Sequence, residues 1–143
     1  MSPLAVDGYA TEEATVFQRL NAEWASRTPV AWPGRAFNRQ AQEDPWIEAR
    51  ITSQSAFRVT LGPEYRTRHP GLLMITVHWP HGQGTHAARE MAQDAARIFE
   101  GQTIVAGLTF RDATVRNLGE DDGWLRVQAT IPFQRDTDHP LPD

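Results

Sequence analysis

The chain contains no cysteine. That excludes disulfide cross-links and thiolate metal ligands, so the fold must rely on packing, or on packing combined with assembly. Lysine is also missing, and all 14 basic residues are arginine. A Walker-type phosphate loop, which needs a lysine beside its glycines, is thereby ruled out. No apolar run approaches the roughly 20 residues of a membrane-spanning helix. Leu4-Ala5-Val6 is too short for the hydrophobic region of a secretory signal and has no basic leader. No membrane association is expected. Eighteen acidic residues against 14 arginines leave a net charge of -4. This argues against nucleic acid as the main partner, because phosphate binding depends on clustered cations. Arg35, Arg39, Arg50, Arg58, Arg66 and Arg68 do concentrate in the first half, which leaves room for one locally basic face.

What is present is ordinary for one domain: 143 residues, 40% apolar and 22% charged, enough for a two-layer core and too ordered in composition for wholesale disorder. The organising stretch is residues 70–101. Gly71 to Trp79 is a near-continuous apolar run with β-branched Ile75, Thr76 and Val77, bounded by Pro70 and Pro80, which predicts a central strand. Gly82-Gln83-Gly84 breaks it. From Thr85, read as an N-cap, the positions Ala88, Met91, Ala92, Ala95, Ile98 and Phe99 recur at helical spacing until Gly101. Small residues at 88, 92 and 95 allow that helix to sit close to a sheet.

Before this stretch, residues 1–10 read as a flexible arm. Thr11 reads as the N-cap of a first helix with Val16, Phe17, Leu20 and Trp24 on its apolar face, ending near Arg27 because Thr28 precedes proline. Residues 29–32 are a short extended piece, and 35–45 a polar surface loop. From Trp46 the alternation of Trp46, Glu48, Arg50 and Thr52 with Ile47, Ala49 and Ile51 predicts a half-buried strand. Residues 56–61 either continue it after a kink or pair back as a hairpin, and 64–70 read as a charged connection. After the second helix, residues 102–105 and 108–118 are extended. Gly119-Glu120-Asp121-Asp122-Gly123 signals a hairpin. Its return strand alternates cleanly, with Leu125, Val127, Ala129, Ile131 and Phe133 on one face. Residues 135–143 read as a flexible tail. The expected fold class is α+β: an antiparallel or mixed sheet with two α-helices packed on it and a closing C-terminal β-hairpin, forming a single domain over residues 11–134.

Reactive chemistry is scarce. His69, His78, His81 and His86 are the raw material of a metal site, yet their spacing matches no ligand pattern, so they read as loop and helix-start histidines. Gly82-Gln83-Gly84 before a helix has the start of a phosphate cradle without its third glycine. The serines lack a nucleophile elbow. Glu120, Asp121 and Asp122 lie in a hairpin tip and read as a solvated turn. The five tryptophans serve either as core or as interface anchors, where Trp and Arg are enriched; Trp32, flanked by prolines, fits partner contact or local packing.

Taken together, these pieces resemble the bacteriophage tail-terminator family, the small tail proteins of phages or phage-like particles with long non-contractile tails. The residues that carry the likeness are Phe17 to Trp24, Pro29-Val30-Ala31-Trp32-Pro33-Gly34 with Phe37, Trp46-Ile47, Leu61-Gly62, Arg68-His69-Pro70-Gly71-Leu72, Gly82-Gln83-Gly84 before the helix ending Ile98-Phe99, and Ile131-Pro132-Phe133. The resemblance implies a structural virion protein, not an enzyme, with no catalytic residue, cofactor or metal. It implies a homo-oligomeric ring, typically of six, on the head-proximal end of the tail tube. Such a ring would stop polymerisation, contact tail-tube protein and a head-tail connector, and let DNA pass its lumen without sequence-specific binding. Its place would be the neck of the virion after assembly in the host cytoplasm. Expected contact residues are Trp32, Arg35, Phe37, Arg39, Tyr65, Arg66 and Arg68, with Glu120, Asp121 and Asp122 at a rim or in the lumen. A head-tail connector or stopper of the same neck is the nearest alternative, and a small ligand-binding or metal-dependent enzyme domain is the alternative of a different class.

Overall fold

The computed structural model describes residues 6–60 and 62–139. Its frame is a pair of strands. β4 (Tyr65–Pro80) and β8 (Trp124–His139) are 16 residues each and pair antiparallel over their full length, from Tyr65 opposite His139 to Pro80 opposite Trp124. Each long strand is flanked by two shorter ones. On the outer side of β4, β2 (Trp46–Ser53) runs antiparallel from His78 to Gly71, and β3 (Phe57–Arg58) pairs with Arg68 and Thr67. Outside β2 lies β1 (Val30–Ala31), the one parallel neighbour among the described residues. On the outer side of β8, β7 (Thr114–Asp121) pairs with residues 124–130, and β6 (Leu108–Phe110) with 133–135. β5 (Thr103–Val105) completes that edge. The result is an eight-stranded mixed sheet in the order β1-β2-β4-β8-β6-β5, with β3 and β7 as side partners.

Two helices, α1 (Tyr9–Trp24) and α2 (His86–Arg97), contribute to the core on one face of that sheet. Alternate residues of the strands point into it: Ile47 and Ala49, Leu73, Ile75 and Val77, then Val127, Ala129, Ile131 and Phe133. Ala88, Ala92 and Ala95 of α2 are fully buried, as their small size foreshadows. The fold is thus α+β with a closing hairpin, and the turn of that hairpin falls at Asp122-Gly123, both with positive φ.

Several sequence expectations are corrected. Residues 64–70, read as a connection, form the first third of β4 from Tyr65 onward. Pro70, which cannot donate to a ladder, is tolerated because it falls in the gap between the stretches paired by β2 and β3, where only Gln54 N–H reaches its carbonyl, at 2.9 Å. The tail expected from Arg135 onward is strand through His139; residues 140–143 lie outside the described part. Of the expected arm, residues 1–5 also lie outside it, but Val6 is buried in the core and α1 starts at Tyr9. Gly8, not Thr11, precedes the helix, and its carbonyl accepts from Glu12 N–H at 2.9 Å. Thr85 occupies the N-cap position of α2 without its hydroxyl capping an amide. Residues 57–58 pair with β4 rather than extending β2, and Leu61, the end of that expected stretch, is not among the described residues.

Helix α1 buries a stripe of every fourth residue, Glu12, Val16, Leu20 and Trp24. The stripe begins with a carboxylate, and a partner is built for it. Arg135 on β8 donates from Nε to Glu12 Oε1 at 2.9 Å, with the two side chains only 1% and 3% exposed. Burial pushes the Glu12 carboxyl above its ordinary range, and the bond and charge of Arg135 offset part of that rise. The Tyr9 ring covers the guanidinium, 4.7 Å from centroid to Cζ. Removing one member leaves the other charged and buried. Glu12→Ala is expected to lower unfolding free energy by about 3–5 kcal/mol in denaturant titrations, whereas replacing both Glu12 and Arg135 with leucine should come out near neutral.

Gly71 illustrates the tightness of the sheet. It lies opposite Phe133, and a Cβ there would meet the phenyl ring at 2.5 Å. Gly71→Ala should therefore cost about 1–3 kcal/mol through overpacking, and Phe133→Leu in the same chain should recover part of it in the same unfolding measurement.

Candidate functional site

Among the described residues neither α-helix covers the second face of the sheet. It carries the other strand phase: Trp46, Glu48 and Arg50 of β2, Met74, Thr76 and His78 of β4, and Trp124, Arg126 and Gln128 of β8. At one end the 35–45 loop folds back on it. Phe37 packs on Trp46 with centroids 4.8 Å apart, and the Arg39 guanidinium sits 5.4 Å from the same indole. His78 stacks flat on Trp46 at 3.8 Å, and Trp124 meets it edge-on at 6.2 Å. Trp46 is consequently 1% exposed although it lies outside the helical layer. Arg39 pairs with Glu48, whose Oε1 is 3.5 Å from His78 Nε2. The His78 imidazole, then Arg39, hold the Glu48 carboxyl below its ordinary range against the opposing effect of burial. A depression of about 220 Å³ opens on this face, bordered by Arg50, Met74, Leu118 and Asp121 among others.

The far end of the β4–β8 ladder is a set of cross-strand charge pairs. Arg66 grips Asp138 through two bonds of 2.7 and 3.3 Å, and Arg68 grips Asp136 at 3.0 and 3.2 Å. Such forked contacts are the strong form of the arginine–carboxylate bond. Arg66 lowers the Asp138 carboxyl's pKa, chiefly by that hydrogen bond. Tyr65 stacks on His139 at 4.4 Å, with Arg58 3.7 Å above the phenol ring. His69 bonds Thr137 and the Tyr9 hydroxyl, and burial pushes its imidazole down, an effect the Arg135 charge reinforces. Arg66 and Arg68, expected at contacts with neighbours, are therefore engaged first within the chain.

Trp32 and Arg35 border a groove of about 400 Å³ beside α1, where Phe17 packs on Trp32 at 5.2 Å. The hairpin tip is exposed, and Glu120 pairs with His81 at 2.7 Å. His86 pairs with Glu90 one turn along α2. The histidines thus serve separate contacts, and among the described residues no three His, Asp or Glu side chains are arranged to hold a metal ion. The interface residues expected from sequence likewise divide among three places: the 35–45 corner, the α1 groove and the charged ladder end. Sequence reasoning missed Glu12 and Arg135. Asp136 and Asp138 were also missed, although Asp-x-Asp answering Arg-x-Arg at strand period two was a readable signal.

A family model described as phage tail terminator protein matches residues 13–133. The chain belongs to the phage tail terminator family. It is accordingly a structural protein of the phage tail, working in association with other tail proteins. A solved structure shares its fold at a TM-score of 0.58 and 19% identity, covering 95% of this chain and 100% of that one. No curated protein matches the sequence. Within the described part of this terminator-family chain, no helix is long and apolar enough to cross a membrane.

The cross-strand pairs make a direct prediction. Arg66→Glu with Arg68→Glu should fray the ladder end, seen as lost amide protection in hydrogen exchange over residues 65–69 and 135–139. Adding Asp136→Arg and Asp138→Arg should restore it, which a purely intermolecular role for these arginines would not do.

Proposed function

We propose that the chain closes the head-proximal end of a phage tail tube as a ring of identical subunits, six in the family pattern. The ring stops tube polymerisation and gives the head-side connector its seat in the neck of the virion. The observation that supports this most is the terminator-family match across residues 13–133. The physical character of the molecule agrees with it. Its features are surfaces rather than a convergent reactive centre: an uncovered polar sheet face, an aromatic groove beside α1 and a charged ladder end. A head-to-tail contact repeated about an axis that closes turns such a subunit into a ring.

On this reading Trp32, Arg35, Phe37 and Arg39 supply contacts near the β2 edge, while Tyr65, Arg66 and Arg68 present a stacked and charged rim at the other end of the ladder. The tip carboxylates Glu120, Asp121 and Asp122 lie at a rim, or line a lumen through which DNA passes. There they would repel phosphates over about 8 to 10 Å at physiological salt. The chain would assemble in the host cytoplasm. Particles made without it are expected to carry tails of uncontrolled length by electron microscopy. Tails of normal length detached from heads would instead assign the chain to the head-side connection.

A further inference from the structure

Arginine is unevenly answered in this chain. Arg27, Arg39, Arg66, Arg68, Arg97 and Arg135 each form an ion pair with a carboxylate. Among the described residues the other eight form none, and two of these, Arg116 and Arg126, flank an exposed leucine. Both belong to the uncovered face at the β7 side of the sheet. Arg116 lies opposite Gln128, whose amide donates to Thr76 on that face, and Arg126 lies between His78 and Gly119. The Arg126 guanidinium has one long bond, from Nη2 to the Leu118 carbonyl at 3.5 Å, while its buried Nε has no acceptor. Leu118 is one of the large apolar side chains left in water, 39% exposed. An exposed leucine set between arginines short of acceptors has the composition of an interface centre, where arginine and apolar groups are enriched.

The complementary charge lies at the other edge of the same sheet. Glu43 and Asp44 are consecutive and exposed, form no ion pair among the described residues, and sit in the loop that leads into β2. Strand order places β2 with β1 at one edge and β7 beyond β8 on the other side. A head-to-tail contact joins unlike surfaces, and these two lie at different edges of one sheet. We propose that Arg116 and Arg126, flanking Leu118, receive the Glu43–Asp44 loop of a second copy of this chain. The inference rests on the ring reading and names the surfaces that close it. A protein partner fits better than DNA, because Glu48 and Asp121 lie on the same face and the chain is net acidic. Duplex binding favours clustered cations without interleaved carboxylates.

The test is subunit mass by light scattering, with thermal melts to confirm folding. The wild-type chain should be a multiple of 16.1 kDa. Arg116→Glu with Arg126→Glu should reduce it to the single-chain mass, as should Glu43→Arg with Asp44→Arg, and the four changes together should regain the wild-type mass. Should the glutamate pair unfold, Arg116→Gln with Arg126→Gln is expected to dissociate at lower salt than wild type. A wild-type multimer unaffected by the arginine changes overturns this contact and leaves the ring intact. Failure of the fourfold variant to regain mass overturns the assignment of the acidic loop. A wild-type chain that stays monomeric overturns both the contact and the ring. If the arginine variants keep their mass but lose binding to duplex DNA, the arginines belong to DNA and the proposal fails.

Discussion

The full-length pairing of β4 with β8 is the constraint on which everything else rests. Sixteen residues on each side stay in one register without a break, so every side chain is assigned to the helical face or the open face by its parity. A slip of one residue would send Leu73, Ile75 and Val77 into water and bring Met74, Thr76 and His78 under the helices. Two prolines show how the ladder reaches this length. Pro70 lies where β2 hands over to β3, and Pro132 where β7 hands over to β6. Each of these residues without an N–H thus falls at a point where no lateral strand is paired to it.

Charge is deployed on this frame in two ways. Inside, Arg135 and Glu12 tie α1 to β8, and at the ladder end Arg66 and Arg68 hold Asp138 and Asp136. A buried pair of the first kind adds little net stability over well-packed apolar residues, yet losing either member alone is costly. On the open face the balance is different, with arginines and carboxylates interleaved around a stacked tryptophan and histidine. For a structural protein of the phage tail, whose work is contact with other chains, such a face is the chemically informative part of the molecule.

Much of this was readable before any coordinates. The alternation from Leu125 to Phe133 and the alanine positions of α2 are strong periodic signals, because one face of each element is wholly apolar. The ladder end was not legible for a physical reason. From Tyr65 to His69 and from Arg135 to His139 the alternating residues are charged or polar on both faces, so hydropathy reports a loop while pairing of opposite charges makes a strand. The buried pairing of Glu12 escaped notice because its neighbours in the stripe are apolar and a carboxylate there reads as a helix-dipole residue. Trp46 was placed correctly in phase, yet nothing local foretold that Phe37, nine residues earlier, would fold back and bury it. Of the contact residues named from sequence, Phe37, Arg39, Arg66 and Arg68 turn out to have intramolecular partners that were out of view.

The Glu12–Arg135 pair also orders events in time. Its members are 123 positions apart, so the first helix cannot be locked down until almost the whole described chain has been made. Nor can the central strand complete its pairing earlier, since Tyr65 pairs with His139. A chain leaving the ribosome at about 5–20 residues per second would hold β4 with an unpaired apolar edge for several seconds. Long-range pairing of this kind is slow to form and exposed to mispairing until it closes. Those seconds are when a chaperone, or an early partner shielding that edge, has the most to contribute.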